Sequence, residues 1–348
     1  MERYVGTGDS ADGGQGELRN RPVKAQEANP GDRATAPASA PPNAATLRTR
    51  LSWFARDLNQ RATGAENPQV LWKVRHFGGR SLLRFPGGWN VPVDRQNYAT
   101  VRSLVDLVAF GATLAPLDHA GPGRWGVSFE PPLIETPSRI RFTLDSLNPL
   151  IFAETFINDI HFPGSDLRGR NVVDGGAFVG DTALYYASLG ARVYSYEPDP
   201  GNLAKFRSNL ALNPELGGRI TASGSAIGTD GTVWFQPSAV GGGSVYGALR
   251  APTATPSVSL RTIVDRIDGP PFLLKLDCKG VEFDVVQQPA LREFAAVELE
   301  YAVDNRPGHT VAELIDGLRN AGFSQIRRFK HNWEFFDYDS HGILHAQR

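Results

Sequence analysis

The sequence predicts an α/β fold: a doubly wound, mostly parallel sheet with a C-terminal antiparallel hairpin, preceded by an accessory region. Three observations carry this. From residue 171 onward, short apolar runs alternate with helical stripes, the pattern of a parallel sheet covered on both faces. Several of these runs end on an acidic residue or a glycine-rich turn, where such sheets bind ligands. The last two runs are joined by a tight turn instead of a helix, which marks an antiparallel pair.

Taken in order, Asn171-Val-Val-Asp reads as a short buried strand, and Asp181 to Leu189 as a helix ended by Gly190. Arg192 to Tyr196 is a strand ending at Glu197. Leu203, Phe206 and Leu210 share one face of the next helix. Phe272 to Leu276 (FLLKL) is a strand ending at Asp277, and Val281 to Gln287 starts a helix. Ala295 to Tyr301 is a strand, and Val311, Leu314, Ile315 and Leu318 mark a helix stopped by Gly322. Phe323–Phe329 and Trp333–Tyr338 are the final strands, about a turn at Lys330-His331-Asn332.

Upstream the pattern is mixed. Residues 1–46 hold nine Ala, six Gly and five Pro, with only Met1, Tyr4, Val5, Leu18 and Val23 as large apolar residues. Such a segment cannot offset its ordering entropy and reads as a disordered tail. Residues 47–165 read as an accessory or cap region. Leu47, Leu51, Phe54 and Leu58 form a helical stripe, and Val101–Phe110 and Asn148–Phe156 are further helices, the latter with Pro149 at its start. Trp125–Phe129 and Arg139–Leu144 alternate like strands. Residues 166–340 form the ligand-binding domain and 341–348 a polar tail.

Composition narrows the function. The chain has 348 residues, 41% hydrophobic, with 36 basic and 37 acidic side chains and a formal net charge of −1. Bulk charge therefore does not make it a nucleic-acid binder. A single cysteine, Cys278, excludes an intramolecular disulfide and a four-cysteine zinc site. No secretory h-region or long apolar run appears, so a cytoplasmic protein without membrane insertion is expected.

The chemistry concentrates in the first turn, Asp174-Gly175-Gly176-Ala177-Phe178-Val179-Gly180-Asp181-Thr182. Its glycines let backbone N–H groups approach a ligand at a helix N-terminus. Glu197, 23 residues after Asp174, suits a carboxylate gripping a ribose diol. The turn does not match the G-x-G-x-x-G dinucleotide fingerprint, and a pyrophosphate would be repelled by Asp174 and Asp181. S-adenosylmethionine carries an ammonium and a sulfonium that acidic neighbours favour.

These residues carry a resemblance. Val172 to Thr182, followed by Tyr196-Glu197-Pro198-Asp199-Pro200, resembles the first two motifs of the FkbM family of S-adenosylmethionine-dependent methyltransferases. Ser225-Ala226-Ile227-Gly228 with Asp230-Gly231 resembles the third motif, and Leu274-Lys275-Leu276-Asp277-Cys278-Lys279-Gly280-Val281-Glu282 the D-x-E-G-x-E motif. Ser259 to Asp265 resembles the short helix before it. The resemblance covers roughly residues 150–330 and implies a class I, Rossmann-like methyltransferase fold. By its implication, Asp174, Gly175, Gly176 and Gly180 surround the methionine part of the cofactor, and Asp181 and Thr182 reach its carboxylate through water or backbone. Glu197 and Pro198 take the ribose, Ser225 and Ala226 flank the adenine, and Asp277 faces the methyl group and the acceptor. Lys279 stands where the family has Glu, which either alters the acceptor toward an anionic one or has no role.

Methyl transfer needs alignment and exclusion of water more than activation. For an alcohol acceptor a base helps. Asp277 is the first candidate and Glu282 the second, with Lys279 the third residue of the catalytic set. A helix N-cap for Asp277 and a solvated first-turn carboxylate for Glu282 are the bland alternatives. Asp277 with Asp304 and Asn305 resembles a magnesium-binding oxygen set, but such residues are ordinary in loops, and no metal is assigned. Cys278 reads as a small buried filler, and Arg306 as a loop charge or an anion contact. His341 and His345 read as part of the tail.

The expected acceptor is a small molecule or glycan, with a hydroxyl on a sugar, glycolipid or secondary metabolite as the implied target. RNA is the alternative: Arg48, Arg50, Arg56, Arg61, Lys73, Arg75, Arg80 and Arg84 interleave with Trp53, Trp72 and Phe77. A non-catalytic cofactor binder is the third reading. Oligomeric state is not legible.

Overall fold

The computed structural model describes residues 64–161, 164–236, 253–329 and 339–348. The expected tail over 1–46, the Leu47–Leu58 stripe and the expected strand Trp333–Tyr338 lie outside them.

The accessory region contains α1 (Gln69–Phe77), the hairpin β1 (Ser81–Arg84) and β2 (Asn90–Val93), and α2 (Tyr98–Ala109). A four-stranded sheet follows, in the order β3 (Leu114–Pro116), β4 (Trp125–Phe129), β5 (Pro132–Glu135), β6 (Arg141–Thr143). Then comes α3 (Pro149–Phe156). Pro149 opens α3, and the Asn148 side chain accepts from the N–H groups of Leu150 and Ile151. The fixed φ of proline and the cap together set where this helix starts.

The main domain runs β7 (Asn171–Gly175), α4 (Asp181–Ser188), β8 (Arg192–Tyr196), α5 (Pro200–Leu212), α6 (Pro214–Gly217), β9 (Ile220–Ser223). It continues with β10 (Ala226–Ile227), β11 (Gly231–Phe235), β12 (Thr253–Val258), α7 (Leu260–Arg266), β13 (Pro271–Leu276) and α8 (Glu282–Val285). It ends with β14 (Ala296–Ala302), α9 (Val311–Asn320), β15 (Gln325–Phe329) and β16 (His341–Gln347). Among the described residues, seven strands form one sheet in the order β15-β16-β14-β13-β7-β8-β9. β14, β13, β7, β8 and β9 are parallel, while β16 runs antiparallel to both β14 and β15. This is the doubly wound, mostly parallel sheet with a closing antiparallel pair that the sequence predicts.

Among the described residues, the strand that pairs with β15 is one the sequence reading did not assign. Residues 341–348, read above as a polar tail, contribute β16, inserted between β14 and β15. Gly342, Ile343, Leu344 and Ala346 are all buried. A strand covered on both faces loses the period-two signal that marks a half-exposed one, and its two histidines disguise it further.

Helices cover both faces. Val173, Leu274, Leu276, Val297 and Leu299 pack with Ile263 of α7 and Leu314 and Leu318 of α9. Val172, Val193, Leu273 and Ala296 face Ala183 and Tyr186 of α4 and Phe206 of α5. The accessory sheet shares a core with this second layer, because Trp125, Phe142 and Phe152 cluster with Val179 and Leu184.

Two asparagines, Asn209 on α5 and Asn213 at its C-cap, make that junction. Asn213 accepts from Arg141 N–H at 2.9 Å and donates to Arg141 C=O at 2.7 Å. Asn209 accepts from Thr143 N–H at 2.9 Å and donates to Val179 C=O at 2.9 Å. The edge of β6, which would otherwise present unpaired backbone groups, is thus covered by side-chain amides.

Candidate active site

The strand order reverses between β7 and β13: the chain steps outward from β7 to β8 and β9, then returns to place β13 on the other side of β7. At such a switch point the loops diverge and leave a crevice at the carboxyl ends of the strands. Here those ends carry Gly175-Gly176 from β7, Glu197 from β8 and Asp277 from β13.

The turn after β7 is built by close approach. Gly176 has φ +73°, and a Cβ there would lie 2.0 Å from the carbonyl oxygen of Asp277. Gly180 has φ +85°, and its Cβ would strike the Phe206 ring at 2.1 Å. Both glycines are therefore required by the backbone and its packing. Asp174, fully buried, receives hydrogen bonds on Oδ2 from Thr182 Oγ1 at 3.0 Å and Ser195 Oγ at 3.4 Å. Its Oδ1 lacks a hydrogen bond but stands 3.3 Å from Lys275 Nζ, an ion pair without hydrogen-bond geometry.

Asp181 and Thr182 are buried, and both side chains turn inward. Asp181 accepts from Thr155 of α3 at 3.0 Å, and burial pushes its carboxyl up to about 6, against the opposing pull of Lys275 and His161. Any reach of these two residues to a ligand in the crevice is through backbone N–H.

Glu197 is almost wholly buried. Oε2 accepts from Phe178 N–H at 2.8 Å and Oε1 from Asp199 N–H at 2.8 Å. Phe178 adopts φ +48°, a backbone conformation uncommon for a non-glycine residue. Burial pushes the Glu197 carboxyl up to about 7, with the backbone hydrogen bonds opposing. Pro198 follows it. Asp199 caps α5 through Gly201 and Asn202 N–H. On the neighbouring edge, Ser225 Oγ accepts from Ser223 Oγ at 3.2 Å, and Ala226 is buried in β10.

At the end of β13, Lys279 adopts φ +54° and places Nζ 2.6 Å from Asp277 Oδ1 and 3.4 Å from Glu300 Oε1. Burial acts against its charge, but the two carboxylates outweigh burial and hold the ammonium above its ordinary value. Lys279 is thus a bridge between two acids. Glu282 is buried, and its oxygens accept from Cys278 N–H at 2.5 Å and Gly280 N–H at 2.7 Å. Burial pushes its carboxyl up to about 7. It shapes the 277–280 loop and presents no oxygen to an acceptor, unlike the solvated carboxylate or second base weighed from the sequence. Cys278 packs against the core, and burial, then Glu282, hold its thiol well above the usual range, which suits a filler. Arg306 is fixed by a two-pronged pair with Asp284, 2.9 Å on each prong.

Lys275 is absent from the sequence-derived site. It is buried in β13 and donates to Gly176 C=O at 3.0 Å and Gly175 C=O at 3.5 Å. Burial alone would pull its ammonium down, yet Asp174, Asp277 and Asp181 hold it above its ordinary value. The available signal was a lone charge inside the apolar run FLLKL, since a buried lysine needs a partner.

Among the described residues, no group of three or more His, Cys, Asp or Glu side chains could hold a metal ion. Nor is any helix long and apolar enough to cross a membrane. Of the basic and aromatic set near the N-terminus, Trp72 and Phe77 are 41% and 71% exposed and Lys73, Arg75, Arg80 and Arg84 are also exposed. Arg48, Arg50, Trp53, Arg56 and Arg61 lie outside the described residues.

Three carboxyls raised by burial have a consequence for stability. Asp181, Glu197 and Glu282 keep their protons to about 6, 7 and 7 in the folded chain, but lose them near 4 when unfolded. The folded state then binds more protons between those values, so stability falls as pH rises through 7. The His161–Glu298 pair adds in the same direction, because Glu298 holds the His161 imidazolium above its ordinary value against burial. His345, lowered by burial, opposes it. Thermal unfolding is expected several degrees higher at pH 6 than at pH 8. Equal midpoints would show that these carboxyls ionise as they do in the unfolded chain.

A doubly wound sheet whose switch point offers a glycine turn, a ribose-type carboxylate and an excess of acids is the frame of a class I, Rossmann-like methyltransferase. Residues 174–324 match the family model described as the methyltransferase FkbM domain. Over those residues the chain carries a methyltransferase FkbM domain, and it is an S-adenosylmethionine-dependent methyltransferase. No curated protein matches the chain. Among solved structures it is similar to magnesium protoporphyrin IX methyltransferase (ChlM) from Synechocystis PCC 6803 with bound SAM, at 16% identity. That likeness covers 56% of this chain and 77% of that one, with a TM-score of 0.36. It is also similar to precorrin-6y C5,15-methyltransferase from Geobacter metallireducens GS-15, at 12% identity over 52% of this chain and 81% of that one, TM-score 0.31.

The residues present fit the cofactor. A carboxylate has about four acceptor positions and no donor. After its backbone bonds, Glu197 in its ionised form retains acceptor capacity on both oxygens for a diol. The unbonded, buried Asp174 Oδ1 and the surrounding acids suit a ligand bearing an ammonium and a sulfonium.

Proposed function

We propose that the chain methylates a hydroxyl of a sugar, glycolipid or secondary metabolite, and that Asp277 is the group nearest the reacting oxygen. The observation that carries this reading is the contact between Asp277 and the cofactor turn, whose Gly176 lacks a Cβ because the Asp277 carbonyl occupies its place. The Asp277 carboxylate is one-quarter exposed, so it is reachable from the crevice, whereas Glu282 is sealed against backbone N–H groups.

In this reading Asp174, Gly175, Gly176, Gly180, Asp181, Thr182, Glu197, Pro198, Ser225 and Ala226 form the cofactor cradle. The bound cofactor supplies an electrophilic methyl group already activated for displacement. Asp277 orients the acceptor hydroxyl and takes its proton as the oxygen–carbon bond forms. Lys279 holds one Asp277 oxygen and ties it to Glu300, which fixes the carboxylate in place and balances charge at the mouth. Glu282 positions the loop that carries both.

The test is transfer of label from methyl-labelled S-adenosylmethionine into extracts fractionated as glycans, lipids, small metabolites and RNA. The expected product is an O-methyl ether in one of the first three fractions, lost in Asp277→Asn. Label confined to a ribonuclease-sensitive fraction would replace this acceptor class with RNA.

A further inference from the structure

We propose that Lys275 is the residue that positions the cofactor turn, setting how tightly the amino-acid end of the cofactor is held; this rests on the cofactor reading above. Directly opposed residues across the sheet form one polar row, Ser195 on β8, Asp174 on β7, Lys275 on β13, Glu298 on β14 and His345 on β16, buried except for the half-buried His345 at its end. Opposed residues share a face, and this row lies on the α4 side. Lys275 is at its centre, and its ammonium spends its donors upward on the turn.

Two consecutive peptide units are gripped from both sides. Their carbonyls, Gly175 and Gly176, point to Lys275 Nζ at 3.5 and 3.0 Å. Their N–H groups, Gly176 and Ala177, both point to the carbonyl of Tyr196 at 3.0 and 3.2 Å. A peptide's C=O and N–H point opposite ways, so the two anchors together fix the plane of each unit. Tyr196 immediately precedes Glu197, whose Oε2 in turn accepts from Phe178 N–H. Lys275 therefore fixes the turn relative to the ribose carboxylate. Without it, the Gly176 carbonyl loses its charged donor, the Gly175 carbonyl keeps only the Asp277 N–H at 3.0 Å, and Asp174 Oδ1 loses its ion pair with Lys275. Glu197 is anchored independently through Asp199 N–H, so the ribose end should survive that loss.

The two ends can be read separately with two ligands. S-adenosylhomocysteine contains the amino-acid moiety, and 5′-methylthioadenosine lacks it. In calorimetric titration, Lys275→Met is expected to weaken S-adenosylhomocysteine by about tenfold or more, the scale of a lost charge-assisted hydrogen bond, and to leave 5′-methylthioadenosine nearly unchanged. Circular dichroism confirms folding. If the single variant does not fold, Asp174→Asn with Lys275→Met removes both charges and keeps the interior neutral. Its loss is then read against Asp174→Asn alone. Equal losses for both ligands, no loss, or a double variant no weaker than Asp174→Asn would overturn the assignment. A folded wild type that binds neither ligand would remove the cofactor reading instead.

Discussion

Glu197→Ala is expected to lose measurable affinity for S-adenosylhomocysteine while remaining folded. Two hydrogen bonds from ribose hydroxyls to a carboxylate are each worth roughly 1.5–3 kcal/mol, so their removal should weaken binding by about a hundredfold or more. The truncation also releases the N–H groups of Phe178 and Asp199, which loosens the turn on the cofactor side. Burial raises this carboxyl to about 7, so below that value it is protonated and no longer a pure acceptor. Ribose hydroxyls bind the ionised form, and wild-type affinity should therefore tighten from pH 6 to pH 8. Glu197→Gln, which has no proton to lose, should bind weakly and show no such slope. Calorimetry on the three proteins at both pH values decides it. An alanine variant with wild-type affinity would remove Glu197 from the site, and a flat wild-type profile would place its ionisation outside this window.

What the sequence made legible was the part written in local chemistry. Gly176 and Gly180 announce a turn because their φ values admit little else, and Glu197 stands at a strand end because the short run Arg192–Tyr196 stops immediately before it. The same holds for Asn148-Pro149, where a side-chain cap and a ring-fixed φ specify a helix start within two residues. What escaped was set by partners distant in sequence. Lys275 gains meaning only from Asp174, about a hundred residues earlier, and from two carbonyls that no pattern identifies. Glu282 sits where a solvated carboxylate is expected, yet the chain folds back so that it takes Cys278 and Gly280 N–H groups instead. β16 is hidden for a related reason, because His345 faces Glu298 across the sheet, so a polar residue there signals a buried row and not solvent. Asn209 and Asn213 look like ordinary exposed helix residues until β6 arrives to use their amides.

Gly176→Ala is expected to cost more than any other single methyl group added in the turn. The new Cβ would sit 2.0 Å from the Asp277 carbonyl oxygen and 2.9 Å from its carbon, and both are backbone atoms that cannot swing aside. The φ of +73° adds the left-handed cost of about 1–2 kcal/mol that an L side chain meets there. Overpacking adds roughly 1–3 kcal/mol more. Relief requires β7 and β13 to part at their carboxyl ends, which would separate the cofactor turn from Asp277 and lower both thermal stability and cofactor affinity. Two controls isolate the causes. Gly79→Ala has φ +82° with nothing within 4 Å, so it carries the conformational cost alone. Gly175→Ala, whose Cβ would meet the side-chain ends of Ile227, Leu276 and Cys278 at 2.8–3.1 Å, carries a clash that can relax. Unfolding midpoints should fall in the order Gly79→Ala, Gly175→Ala, Gly176→Ala, with cofactor binding lost in the last. If Gly176→Ala is no less stable than Gly79→Ala, the Asp277 carbonyl does not press on the turn, and the contact on which the proposed role of Asp277 rests is absent.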